Sequence, residues 1–228
     1  LVTSHGMKLP LRTWSPRGEP EAIILTLHGF NDYSNAFSKP ARHWTKEGFL
    51  VYAYDQRGFG ATSGAGRWPG TSVLIQDLLA DVAFIREIHP KVPLYLLGES
   101  MGGALLIAAS HHLPAKIISG FILVAPAVWA RKTMPPMYVA TLWLGAHLIP
   151  WLRLSGKGLQ IQASDNRQML LELGQDPLII KQTRIDTMYG LVNLMDSALS
   201  NTPNLTAPTL QLYGANDEII PKHATPEM

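Results

Sequence analysis

Val92-Pro93-Leu94-Tyr95-Leu96-Leu97-Gly98-Glu99-Ser100-Met101-Gly102-Gly103-Ala104-Leu105-Leu106-Ile107-Ala108-Ala109-Ser110 decides how the rest of this chain is read. Its first six residues form an apolar run of strand length. Its last eight are small or aliphatic and suit a buried helix. Between them lies G-x-S-x-G, with Gly98, Ser100 and Gly102 at the fixed positions. A strand that turns at once into a helix needs glycines around the turn residue, because side chains there would collide. The turn residue itself takes a strained backbone and holds its side chain clear of the sheet. Ser100 is that residue, so its hydroxyl is expected at the positive end of a helix, open to a ligand. The bare pattern fixes three positions and is weak alone. Its placement between a buried strand and a small-residue helix gives it weight.

Upstream, residues 1–16 read as a hairpin, with a turn at His5-Gly6 and Leu9, Leu11 and Trp14 spaced for strand pairing. Residues 21–27 are a continuous apolar strand, the kind a sheet covered on both faces requires. That strand runs into His28-Gly29-Phe30-Asn31-Asp32. A helical stretch over 34–47 follows, interrupted by Pro40. The strand at 49–54 ends in Asp55-Gln56-Arg57-Gly58-Phe59-Gly60. Leu74, Leu78, Val82 and Ile85 then recur at helical spacing, with Asp77, Asp81 and Arg86 off the stripe. Downstream, residues 117–124 form another strand, stopped by Ala125-Pro126. Alternating strand and helix predict a parallel sheet with right-handed crossovers, whose ligands sit beyond the carboxyl ends of the strands. His28, Asp55, Ser100 and Pro126 fall at those ends.

From 127 to 200 the alternation stops. Helical apolar segments are expected at 134–152, 164–173 and 177–199, as an insertion capping the active edge of the sheet. Strand character returns at 208–213, leading into Gly214-Ala215-Asn216-Asp217.

Composition narrows the function classes. The chain has 228 residues, 46% of them hydrophobic and 16% charged, enough for one α/β domain with a sizeable core. A net charge of +2 from dispersed basic residues offers no nucleic-acid surface. There is no cysteine, so thiol nucleophiles, disulfides and zinc–thiolate sites are excluded. The histidines show no metal-ligand spacing, and no cofactor is implied.

Taken together, Arg12-Thr13-Trp14-Ser15-Pro16, His28-Gly29-Phe30, the 55–60 loop, Gly98 to Gly103, and Gly214-Ala215-Asn216-Asp217 with Pro221 resemble the α/β-hydrolase fold. Within that fold the chain is similar to the monoacylglycerol lipase and lysophospholipase group over nearly its whole length. The resemblance implies a mostly parallel central sheet with helices on both faces and a helical cap. It implies Ser100 as nucleophile, the backbone N–H groups of Phe30 and Met101 as oxyanion-hole donors, and Asp217 as the acid that orients a histidine. The chemistry agrees: a serine hydroxyl needs a base, the tetrahedral intermediate needs fixed donors, and the acid holds the imidazole tautomer. Glu218 is a rival to Asp217. His28 is expected to stabilise its loop rather than to catalyse, and Asp55 and Arg57 to form a structural pair.

The order in this fold is Ser, acid, His, with the histidine beyond a further helix. Only His223 follows Asp217, six residues on, too close for that helix. The expectation is that the base lies beyond Met228. Residues 134–152 carry no charge and would be long enough to span a membrane, but Pro135, Pro136 and Pro150 and the position between two strands of one sheet oppose it. A buried cap helix, or a cap that also dips into lipid, remains. Tyr138, Trp143 and Trp151 are interfacial residue types, and Arg131, Lys132, Arg153 and Lys157 flank the segment. The expected activity is hydrolysis of a single-chain lipid ester, a monoacylglycerol or lysophospholipid. A small-ester esterase or acyltransferase, and a catalytically silent lipid-binding protein, are the alternatives.

Overall fold

A computed structural model describes residues 6–156 and 164–217. Strands β1 (Leu11–Trp14), β2 (Ala22–Leu27), β3 (Phe49–Tyr54), β4 (Leu94–Glu99), β5 (Gly120–Val124) and β8 (Thr209–Leu212) form one sheet in the order β1-β3-β2-β4-β5-β8. β1 runs antiparallel to β3, and every other pair is parallel. Of the hairpin expected over 1–16, residues 11–14 form an antiparallel edge strand on β3, and the part at 1–5 lies outside the described residues. A two-stranded ribbon joins β6 (Arg153–Leu154) to β7 (Thr183–Arg184).

Side-chain alternation divides the sheet into two faces. Ile23, Leu25, Leu27, Leu94, Leu96, Phe121 and Leu123 point into the main core. Helices α2 (Thr71–Ile88), α3 (Met101–Ala108) and α6 (Ile185–Asn201) cover that face through Leu74, Leu78, Val82, Leu105, Leu194 and Ala198. Ile24 and Leu97 point the other way, against Phe37 and Trp44 on or beside the short helix α1 (Ser38–Trp44). Pro40 is the third residue of α1, where an N–H has no intrahelical acceptor, so it fits within the first turn.

Two acids read as lying off the helical stripe are in fact buried. Asp77 and Asp81 of α2 are each 2% exposed. Asp77 receives a two-pronged ion pair from Arg57, with both N–H···O distances 2.8 Å. Asp55 is not the partner of Arg57. Its carboxylate accepts from the Ser34 hydroxyl at 2.5 Å and from the Ala61 N–H at 2.9 Å, tying two loops together. Burial, and then the Asp77 charge, push the Asp81 carboxyl up to about 8.

The segment between β5 and β8 divides. Helices α4 (Pro136–Leu148) and α5 (Arg167–Gln175) contain no buried residue, whereas α6 packs on α3 in the core. α4 is shorter than the expected 134–152. Pro136 takes the first helical position, which suits its fixed φ, and Pro150 lies just past the end. Among the described residues no helix is long and apolar enough to cross a membrane.

Candidate active site

The site stands at the carboxyl ends of β2 and β4, neighbouring strands from which the chain winds in opposite directions: β2 leads outward to β3, β4 to β5. This is the switch point where open α/β sheets place their ligands. At the tip of β4 the chain turns through Ser100, whose φ of 49° and ψ of −110° few L-residues adopt. The surrounding glycines explain how the turn is held. A Cβ on Gly98 would come within 2.5 Å of the Gly102 carbonyl carbon, and one on Gly102 within 2.2 Å of the Leu27 carbonyl oxygen. A Cβ on Gly103 would meet Pro126 at 2.9 Å. Helix α3 can therefore press against β2 and β5 only because those positions are bare.

Hydrogen bonds fix Ser100 from three directions. Its N–H donates to the Val124 carbonyl at 2.9 Å. Its carbonyl accepts from the N–H groups of Ala104 at 3.0 Å and Ala127 at 2.9 Å. No hydrogen bond among the described residues engages its hydroxyl. Among the described residues three non-glycine residues have positive φ: Asn31, Ser100 and Ala125. All three follow the tips of β2, β4 and β5, so the backbone strain of the described fold gathers around this edge.

Gly29 faces Ser100: a Cβ built on it would lie 3.7 Å from the Ser100 Cβ. The next N–H, that of Phe30, belongs to the peptide whose carbonyl is Gly29's. That carbonyl accepts a hydrogen bond from His28 Nδ1 at 2.8 Å. Because a carbonyl only accepts, Nδ1 carries the proton, and Nε2 accepts from the Gln56 N–H at 3.0 Å. In a trans peptide the C=O and N–H point in opposite directions. Holding the Gly29 oxygen on one side therefore holds the Phe30 N–H on the other. His28 is fully buried, and burial lowers its pKa to about 4, so it stays neutral. With both nitrogens engaged it offers no lone pair to Ser100, and the expected loop role fits this geometry. The Phe30 ring packs edge-on to Phe59 at 5.6 Å. Met101 is the first residue of α3, so its N–H has no intrahelical acceptor. Neither N–H is used by another described group.

Asp217 closes a tight turn past β8, with its N–H donating to the Gly214 carbonyl at 3.1 Å. β8 adjoins β5, which adjoins β4, so Asp217 lies on the same edge of the sheet, two strands from Ser100. His223, Glu218 and Pro221 lie outside the described residues. Among the described residues no three His, Asp or Glu side chains are grouped to hold a metal ion.

The sequence reading missed what lies across the β2 tip. The Asn31 carbonyl accepts from the Ile180 N–H at 3.0 Å, and its side-chain amide donates to the Thr183 hydroxyl at 2.7 Å. The Tyr33 hydroxyl donates to Asp176 at 2.7 Å. The only hint in the sequence was Asn31 itself, a residue type enriched at positive φ, placed just past a strand end.

Comparison with known proteins places the chain in a family. A family model described as serine aminopeptidase, S33, matches residues 18–228. The monoglyceride lipase of Rattus norvegicus is 30% identical over 223 residues, covering 96% of this chain and 73% of the relative. The monoacylglycerol lipase of Mycolicibacterium smegmatis is 26% identical over 228 residues, covering 95% and 77%. The crystal structure of Paleococcus ferrophilus monoacylglycerol lipase superposes with a TM-score of 0.77 at 25% identity, over 97% of this chain and 83% of that one.

Proposed function

Because this chain belongs to the serine aminopeptidase S33 family of α/β-hydrolases, we propose that it cleaves single-chain lipid esters, monoacylglycerols foremost, through an acyl-enzyme on Ser100. One observation carries the assignment of Ser100. A serine in strained backbone geometry stands at the tip of β4, beside two backbone N–H groups that no other described group uses.

The chemistry follows from the geometry. The Ser100 oxygen attacks the ester carbonyl carbon while a base takes its proton. The carbonyl oxygen becomes an anion and is met by the N–H groups of Phe30 and Met101, fixed beforehand by His28 and by helix α3. Each such donor is worth about 3–4 kcal/mol of barrier in this kind of site. The glycerol alcohol leaves with the proton, and water then releases the fatty acid by the same steps in reverse roles. Asp217 orients the imidazole that serves as base and stabilises its cation. His28 cannot be that imidazole, since both of its ring nitrogens are engaged, and this reading takes the base from outside the described residues.

The cap supplies the lipid character. Helix α4 and the turn after it expose Met137, Trp143, Leu148 and Trp151, the last two 63% accessible. The apolar surface, bearing interfacial aromatics and flanked by cations, suits contact with a lipid surface that delivers the substrate. In this reading the cap is the outer part of segment 127–200, α4, α5 and the β6–β7 ribbon, while α6 belongs to the core.

The test is reaction of the full-length protein with a fluorophosphonate, together with hydrolysis of monoacylglycerols of rising chain length. Labelling that vanishes in Ser100→Ala, and rates that climb from acetyl to long-chain esters, are the expected results. Labelling or hydrolysis that survives Ser100→Ala would sink the assignment.

A further inference from the structure

Asn31 sits one residue past the proposed donor Phe30 and is held to the cap at two points. Its φ of 66° is a left-handed conformation that most L-residues avoid and that Asn tolerates best after Gly. In that conformation its carbonyl meets the Ile180 N–H and its side-chain amide meets Thr183. Thr183 is almost fully buried and pairs with Leu154 across the β6–β7 ribbon. The ribbon continues directly from the turn at Trp151 that ends the exposed helix α4. The Asn31 Oδ1 is buried and has no partner, so the amide is not placed to satisfy both its ends. Burying an unsatisfied carbonyl is unfavourable. The side chain is held in this pose by its single bond to Thr183 and by its backbone.

We propose that Asn31 is a positioning residue that couples the seating of cap segment 176–183 to the oxyanion donor Phe30 N–H. The strand tip reaches the cap through Asn31 and Tyr33. On its other side the same loop is fixed to the sheet by Asp55, which accepts from the Ser34 N–H at 3.1 Å and from its hydroxyl. With Ser34 anchored, the free part of the loop is the run from Gly29 to Tyr33. His28 holds its first carbonyl and the cap holds its last residues. A cap that shifts outward draws on the Asn31 carbonyl and amide, turns the peptide that joins Phe30 to Asn31, and through the Phe30 Cα tilts the Gly29–Phe30 peptide, and with it the donor N–H, about its tether to His28. A misaligned donor loses most of its value, since hydrogen bonds weaken steeply with angle. The cap then does more than wall a pocket: its seating sets the angle of a donor that His28 already holds on one side. The inference rests on the proposed roles of Ser100 and Phe30.

The experiment measures kcat and KM of the full-length protein on a soluble activated ester, with thermal melting alongside. Asn31→Gly keeps the backbone conformation and removes the amide. Thr183→Val keeps the shape and removes the acceptor, and Thr183→Ser restores the hydroxyl. The expected result is a roughly tenfold fall in kcat with KM unchanged in both Asn31→Gly and Thr183→Val. The double variant should fall no further than either single one, and Thr183→Ser should recover the rate. Unchanged kcat in Thr183→Val, or losses that multiply in the double variant, would overturn the coupling. So would losses that only track melting temperature. Ser100→Ala, run in parallel, separates the two readings: activity that survives it defeats the site, whereas an abolished Ser100→Ala with a normal Thr183→Val defeats the coupling alone.

Discussion

Helices α3 and α4 both lack Asp, Glu, Lys and Arg and are largely apolar, yet every residue of α3 is buried and none of α4 is. Apolarity alone does not distinguish them, and neither shows the one-sided stripe of an amphipathic helix. What differs is side-chain size. α3 opens Met101-Gly102-Gly103-Ala104, and its bare positions let backbone touch backbone on β2 and β5. α4 carries Met137, Tyr138, Leu142, Trp143 and Leu148, which cannot approach so closely. Hydrophobic content states how much surface wants to leave water, whereas the placing of small residues states where a helix can be seated.

The contrast is broken most severely at Gly102. Gly102→Ala puts a carbon 2.2 Å from the Leu27 carbonyl oxygen, a backbone atom held in the centre of the sheet. The strain is expected to cost several kcal/mol, a large share of a domain's total stability of about 5–15 kcal/mol. Soluble yield and the urea midpoint should both collapse. A variant that folds with an unchanged midpoint would show that α3 has room to retreat.

A second effect comes from charge buried under the same face. Asp81 has its pKa raised to about 8 by burial and by Asp77, whereas in the unfolded chain it titrates near 3.8. The native state therefore holds a proton that the unfolded state has lost, and stability falls as pH rises towards and through 8. His28 has the opposite sign: it is neutral in the fold down to about 4, so below 6.5 the unfolded state binds the extra proton. Between about 4 and 6.5 the two oppose each other, and above 6.5 only Asp81 acts. Unfolding free energy should drop by about 2 kcal/mol between pH 6.5 and 9 relative to Asp81→Asn, from the 1.36 kcal/mol carried by each pH unit. Parallel pH profiles for the two proteins would contradict this.

How much of this was legible in the sequence follows from the range of the interactions. The elbow was legible because its constraint is local: Gly98, Ser100, Gly102 and Gly103 lie within six residues, and the clash each glycine avoids is forced by the turn. The mostly parallel sheet followed from alternation, and the family from motifs in sequence order. Distant partners were not legible. Arg57 reaches across 20 residues to Asp77, not to the adjacent Asp55, and Asn31 reaches across 152 to Thr183. Nothing in a local window favours one carboxylate over another. The position of α4 was open between buried and interfacial because a helix without a polar face carries no directional signal.

Glycine in α4 gives a milder contrast with Gly102. A Cβ on Gly145 would meet only Ile185 side-chain atoms, at 3.2 and 3.4 Å. Those atoms can give by a few tenths of an ångström, and alanine gains up to about 1 kcal/mol of helix propensity over glycine. Gly145→Ala should raise the unfolding free energy by a fraction of a kcal/mol. A loss above about 1 kcal/mol would mean that α4 is seated on α6 as tightly as α3 on the sheet.

The smallest effect on folding is expected on the outer face of α4, and there the comparison becomes functional. Met137 and Leu148 are 71% and 63% exposed, so replacing them with Gln removes little surface that folding had buried. Each change should alter unfolding free energy by no more than about 0.5 kcal/mol. If the face enters lipid, those side chains leave water only there. Half-burying such a chain is worth about 1 kcal/mol. Binding to anionic vesicles should then weaken about fivefold for each substitution. Hydrolysis of a soluble short ester should stay unchanged while hydrolysis of vesicle-borne long-chain ester falls in step. Raising salt should weaken the binding of the unmodified protein further, because cations at the flanks of the segment are screened. Vesicle affinity that ignores both Met137→Gln and Leu148→Gln would reject the lipid-facing role and leave this apolar helix to cover a soluble partner or the site alone.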